Sequence, residues 1–211
     1  MTPQVDRETY VSAGYADARR FASYGHQLTE TAALAPESVL EIGIGNGWLT
    51  QLLRQRVPRV TTLDFDGHLA PQVVGSVAAL PVRSTGFDAV LCCQVLEHLP
   101  FDAFGAALSE LRRVARRFAV VTLPDCNRYL QASLRLPGTR ERRLHLELPN
   151  WNPTLLTFRG EHYWEIGARG YPLSRIIGTM AAAGFAVTKT YRLWENPYHR
   201  MFVLHRGDLL P

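Results

Sequence analysis

Lysine is almost missing from this chain. Lys189 stands alone among 23 basic side chains, and the rest are arginine. The formal net charge is only +4 and acidic residues are interspersed. The excess therefore reads as compositional, and nucleic acid is not an expected partner. Cysteine is scarce too, with Cys92, Cys93 and Cys126 only. An odd count with two neighbours adjacent is no disulfide framework, so a reducing, cytoplasmic setting is expected. There is no C-x-x-C pair and no H-E-x-x-H, and no metal is expected. No apolar run approaches the ~18 residues of a membrane span, and nothing at the N-terminus has the pattern of a secretory leader. Disorder, collagen and coiled coil are excluded by a composition that is 46% hydrophobic and 20% charged.

What is present reads as one α/β domain over residues 1–211. Residues 1–35 look helical, with Tyr15, Phe21, Tyr24 and Leu28 at helix-like spacing. The apolar stretches 38–45, 59–66, 87–96 and 117–124 read as strands, with a short V-V-G-S strand inside 67–81. Phe104, Ala107, Leu108, Leu111, Val114 and Ala115 share one face of a helix over 102–117. A second helix carries Leu173, Ile176, Ile177, Met180 and Ala181 and ends at Gly184. FAVTKTYRL and HRMFVLHR then form a closing antiparallel hairpin. Strands alternating with helices imply a doubly wound, mostly parallel sheet. Residues 125–170 break the pattern and are expected to be a partly helical insertion or lid over the carboxyl ends of the strands.

The chemistry is concentrated in Val39-Leu40-Glu41-Ile42-Gly43-Ile44-Gly45-Asn46-Gly47. A buried strand runs into alternate glycines and then opens a helix, an arrangement that brings ligand close to backbone N–H groups. A dinucleotide site wants a third small residue, and Trp48 occupies that position, which argues against a nicotinamide dehydrogenase. The pattern is instead E-x-G-x-G-x-G. About 20 residues on, the second strand ends in Asp64, an acid placed to accept both hydroxyls of a ribose. Gly75-Ser76-Val77-Ala78-Ala79-Leu80-Pro81-Val82 follows. Then come Phe87-Asp88-Ala89-Val90 and Gln94-Val95-Leu96-Glu97-His98-Leu99-Pro100.

Taken together, in this order, these segments resemble the class I S-adenosylmethionine (SAM) dependent methyltransferases, in particular small-molecule domains of the "methyltransferase 11" type. The resemblance covers roughly residues 36–124. It implies a Rossmann-like, seven-stranded, three-layer sandwich, SAM as cofactor and S-adenosyl-L-homocysteine as product. It implies that Glu41, Gly43, Gly45 and Gly47 hold the methionine end, Asp64 the ribose and Phe65 the adenine. Ser76 stands where the family has an aspartate at the adenine amino group, with the Val77 N–H beside it, and Gln94 falls where the family meets the methionine moiety.

The acceptor side has no matching motif. His162, in Gly160-Glu161-His162-Tyr163-Trp164-Glu165, is the candidate proton acceptor. Tyr15, Trp151, Tyr163 and Trp164 are candidates for an apolar acceptor pocket, set against the plainer reading that they pack the core. His98 is assigned to packing, and the Arg135–Arg143 group to a solvated face. The expected activity is methyl transfer to an oxygen or nitrogen of a small metabolite, sugar or natural product. Methylation of RNA or protein, and a SAM-binding module without catalysis, are the alternatives.

Overall fold

The computed structural model describes residue 10, residues 14–15 and residues 17–207. Most of the expected helical segment before residue 17 lies outside the described residues. Helix α1 spans Ala18–Ala33, strand β1 Ser38–Ile42, helix α2 Trp48–Arg54 and strand β2 Arg59–Asp64. The short β3 is Val73–Val74, and β4 is Phe87–Cys93. Helix α3 (Phe101–Val114) leads directly into β5 (Ala115–Pro124). Beyond them lie β6 (Tyr129–Leu134), β7 (Arg142–Glu147), α4 (Leu173–Ala182), β8 (Phe185–Arg192) and β9 (His199–Arg206).

The main sheet has seven strands in the order β3-β2-β1-β4-β5-β9-β8. The first five are parallel, and β9 and β8 run antiparallel as a hairpin. Alternation along each strand feeds two cores, because successive side chains point to opposite faces. Leu40, Ile42, Val90, Cys92 and Val121 face α3 and α4. Val39, Ala89, Leu91 and Val120 face α2, with Tyr24 and Leu28 of α1 packed on them. The result is the three-layer sandwich expected from the sequence.

Helix α1 starts at Asp17, whose carboxylate caps the Arg20 N–H at 2.8 Å. Of the expected set, Tyr24 and Leu28 pack on the core, but Phe21 is 46% exposed and the fully buried residues are the polar Ser23, Gln27 and Thr31. A polar helix face can be buried only where its groups find partners. Ser23 Oγ meets His199 Nδ1 at 3.0 Å and accepts from Asn196 at 3.1 Å, and Gln27 donates to Thr122 at 3.3 Å. Phe21 lies instead against Trp48, ring centroids 4.6 Å apart.

The insertion also differs from expectation, because no part of residues 125–170 is helical. Strands β6 and β7 form a separate two-stranded antiparallel hairpin. Alternation over both strands, with Leu130, Ala132 and Leu134 on one face of β6, has the period of a strand and not of a helix. The other face docks on the β8–β9 hairpin. Gln131 donates to the Trp194 carbonyl at 3.0 Å, and Arg200 pairs with Glu147 and with Asp125, the latter at 2.6 Å. Arg192 donates to the Asn127 and Asp125 carbonyls at 2.9 Å each.

Candidate functional site

Strand order reverses between β1 and β4, since β1 continues toward β2 on one side and β4 toward β5 on the other. In such a sheet the carboxyl ends of the strands leave a crevice at that point. A cleft of about 330 Å³ opens there, floored by Ile42, Gly43 and Gly45 after β1 and walled by Leu63, Asp64 and Phe65 at the end of β2. Gly75, Ser76 and Val77 close one side, and Gln94, Val95, His98 and Tyr163 line the other.

Gly43, Gly45 and Gly47 have φ of +80°, +51° and +74°. At Gly43 a Cβ would lie 2.3 Å from Val95 Cγ2, so both the backbone and the space demand glycine. Gly47 N-caps α2 and is not in the cleft lining. Gly45 is covered by Tyr15, whose hydroxyl would be 3.4 Å from a Cβ there. The Arg20 guanidinium lies 3.9 Å over the Tyr15 ring.

Asp64 is 5% exposed. One carboxylate oxygen accepts the Ile44 N–H at 2.9 Å and the other the Asp66 N–H at 3.0 Å. Each oxygen retains a lone pair, so two hydroxyls could still be accepted. Burial pushes its pKa up, against the opposing pull of those N–H bonds. Phe65 is 42% exposed and presents an open ring to the cleft. Ser76 accepts the Ala78 N–H at 3.2 Å, which tightens the turn that brings Val77 into the lining. Gln94 has φ of +55°, outside the region an L side chain prefers, and is tied to Thr122 through its N–H at 3.0 Å. Such strain is characteristic of positions that the surroundings hold for a purpose. Glu41 lies beneath the loop rather than in the lining, 2% exposed and accepting from Thr50 at 2.6 Å. Burial pushes its carboxyl up to about 7.

On the acceptor side the candidates separate. Tyr163 lines the cleft, with Phe158 stacked on it at 3.9 Å. Trp164 does not: it is fully buried between Phe101 and Phe104, and its indole donates to the Leu99 carbonyl at 3.1 Å. A large aromatic beside α3 gains more from core packing than from a wet cleft. Trp151 is 83% exposed and lies outside the lining, since its segment has no regular structure to turn it inward. His162 also lies outside the lining, one ring behind His98, edge to face at 5.0 Å. Burial alone would lower the His162 imidazole, but the Glu165 carboxylate at 2.8 Å and nearby Glu97 outweigh it and raise its pKa. His98, assigned to packing from sequence, is the histidine at the cleft wall. Tyr10 lines the cleft as well, and no sequence signal pointed to it.

A model of a methyltransferase domain matches residues 40–122, the segment that supplies the glycine loop, Asp64 and Gln94. An uncharacterized methyltransferase of Mycobacterium tuberculosis is 30% identical over 88 residues, 36% of this chain and 45% of that protein. The chain thus spans under half the length of the curated relatives it matches. Among solved structures, a 1,6-didemethyltoxoflavin-N1-methyltransferase of Burkholderia thailandensis, with S-adenosylhomocysteine bound, is 16% identical, with a TM-score of 0.59 over 96% of this chain and 87% of that one. A glycopeptide N-methyltransferase, also with S-adenosylhomocysteine, is 17% identical, with a TM-score of 0.60 over 97% and 98%. At these identities the likeness is one of fold. The segment that forms the glycine loop and the switch-point cleft is thus the one that matches a methyltransferase domain, set in a fold shared with these SAM-dependent methyltransferases.

Proposed function

We propose that this protein transfers the methyl group of SAM to an oxygen or nitrogen of a small metabolite, sugar or natural product. The observation that carries the reading is one cleft with two chemically distinct ends. At one end the half-open lone pairs of Asp64 suit a ribose and the exposed face of Phe65 suits an adenine. Gly43 and Gly45 of the glycine loop lie in the cleft lining, where backbone N–H groups can approach the methionine part. At the other end Tyr163, Leu99 and Pro100 offer an apolar wall with His98 as a polar point, which suits a small, mainly apolar acceptor. Two structural neighbours of this fold are a methyltransferase of 1,6-didemethyltoxoflavin and a glycopeptide N-methyltransferase.

The reaction asks little covalent chemistry of the protein. The acceptor lone pair attacks the methyl carbon in line, the carbon–sulfur bond breaks, and S-adenosyl-L-homocysteine leaves neutral at sulfur. A proton is lost from the acceptor. The residues must align donor and acceptor and exclude water. Tyr10 and Tyr15, set over the cleft and the glycine loop, serve that exclusion. Since His162 does not line the cleft, direct proton transfer to it is not part of the reading.

Calorimetric titration with SAM and S-adenosyl-L-homocysteine tests the cofactor half, and labelled-methyl transfer to an acceptor panel tests the rest. Saturable binding of both, weakened at least about tenfold in Asp64→Ala, is the expected result. A folded protein that binds neither would overturn the reading.

A further inference from the structure

Glu97 sits in the short 3-10 turn after β4 and is wholly buried. Neither of its carboxylate oxygens has a hydrogen-bond partner among the described residues. Leaving a buried carboxylate unsatisfied is costly, so the position calls for an occupant. The His162 imidazole approaches it, but its Nε2 stops 4.0 Å from Glu97 Oε1, beyond hydrogen-bond reach. His162 closes fully on Glu165, at 2.8 Å through Nδ1. A histidine serving only to neutralise Glu97 would be expected to close on it in the same way.

We propose that Glu97, His98 and His162 bind a divalent transition-metal ion, with Zn2+ as the type, at the acceptor end of the cleft. One donor atom from each lies within 4.8 Å of the others. Two imidazoles and one carboxylate are a known donor set for such ions, with bonds of about 2.0–2.2 Å. Binding an ion requires the three donor atoms to draw closer together than they stand here. Both imidazoles are already oriented as ligands are. His162 places Nδ1 on the Glu165 carboxylate, and His98 places Nδ1 on the Glu161 carbonyl at 3.0 Å. An Nδ1–H donated to oxygen fixes the tautomer that offers Nε2 to a metal. Residues 97, 98 and 162 are too far apart in the chain to form a recognisable metal motif, which is why the sequence suggested no metal.

Three protein ligands leave a coordination position open, and His98 sets it toward the cleft. An acceptor oxygen taken there would be a stronger acid and a better-positioned nucleophile. That use rests on the methyl-transfer reading; the ion binding does not.

The test is titration of the EDTA-stripped full chain with Co2+, followed by visible absorption, with Zn2+ as competitor. Saturation at one equivalent is expected, with d–d bands, no thiolate-to-cobalt band and displacement by Zn2+. His98→Asn and His162→Asn should each weaken binding about tenfold or more, and Glu165→Gln by about 10–100-fold. Far-UV circular dichroism verifies folding of each variant. No cobalt signal in the wild type, an unchanged signal in folded His98→Asn and His162→Asn, or a thiolate band pointing to the cysteines would each overturn the proposal. SAM titrated into the same samples keeps the two readings apart: cobalt binding without SAM binding sinks methyl transfer and leaves the metal site standing.

Discussion

Glu41 shows what a single carboxylate costs and contributes. Its folded pKa of about 7 lies above the ordinary carboxylate value of 4.5, because burial outweighs the Thr50 hydrogen bond. The native state therefore holds more protons than the unfolded chain between pH 4.5 and 7. Stability from this group is fullest below 4.5 and declines as pH rises through 7. Glu41→Gln keeps a partner for Thr50 and removes the buried charge. It should raise stability at pH 8 by about 1–3 kcal/mol, with the gap closing toward pH 4.5. Urea denaturation across that range measures it. Two tryptophans make the complementary point. Trp164→Ala should cost about 3–5 kcal/mol, whereas Trp151→Ala should stay within about 0.5 kcal/mol. In the sequence they were indistinguishable, both aromatics in an irregular stretch. What separates them is contact with Phe101 and Phe104, some 60 residues away, and local pattern carries no record of such contact. The place of Asp64 in the cleft wall, by contrast, was legible, because it follows from position at a strand end near a glycine loop.

Among elements, the glycine loop works only against the segment after β4. Val95 Cγ2 fills the space a side chain at Gly43 would need. Gly43→Ala should therefore destabilise the fold and weaken SAM binding. Gly43→Ala/Val95→Ala should recover part of the stability, leaving about 1–2 kcal/mol of backbone strain at φ +80°. Equal losses in the single and double variants would refute the steric account. Helix α1 depends on a buried histidine. Burial, together with the positive charges of Arg20 and His162, lowers His199 to about 4. It stays neutral opposite Ser23 while the unfolded chain takes up a proton below about 6.5. Stability from this site is whole above 6.5 and is lost as pH falls toward 4. His199→Gln should flatten that acid limb of a melting-temperature profile. The helices α3 and α4 and the main strands were readable because apolar periodicity marked them. The polar buried face of α1 and the β6–β7 hairpin were not, since both are stabilised by partners on β5, β8 and β9.

At the scale of the molecule, the end of the cleft proposed for the cofactor is built from one contiguous stretch and the end proposed for the acceptor from several. Residues 42–95 supply the glycine loop, Asp64, Phe65, the Ser76 turn and Gln94, whereas Tyr163 arrives from beyond the hairpin. That division explains why linear motifs offered candidates for the cofactor and none for the acceptor. It also predicts separable defects: Tyr163→Ala should leave SAM titration within about twofold of wild type while reducing methyl transfer to any acceptor found.

The seventh strand in chain order among those of the main sheet does not lie at its margin. Strand β9 is wedged between β5 and β8, with Met201, Phe202 and Leu204 fully buried and contributing to both cores. On the ribosome, every other strand of that sheet emerges first, and β5 must wait with one edge bare until residue 206 has cleared the exit tunnel. For that interval the nascent chain exposes an apolar strand edge, so interrupted translation near this point yields a sticky, unclosed sheet rather than a smaller enzyme.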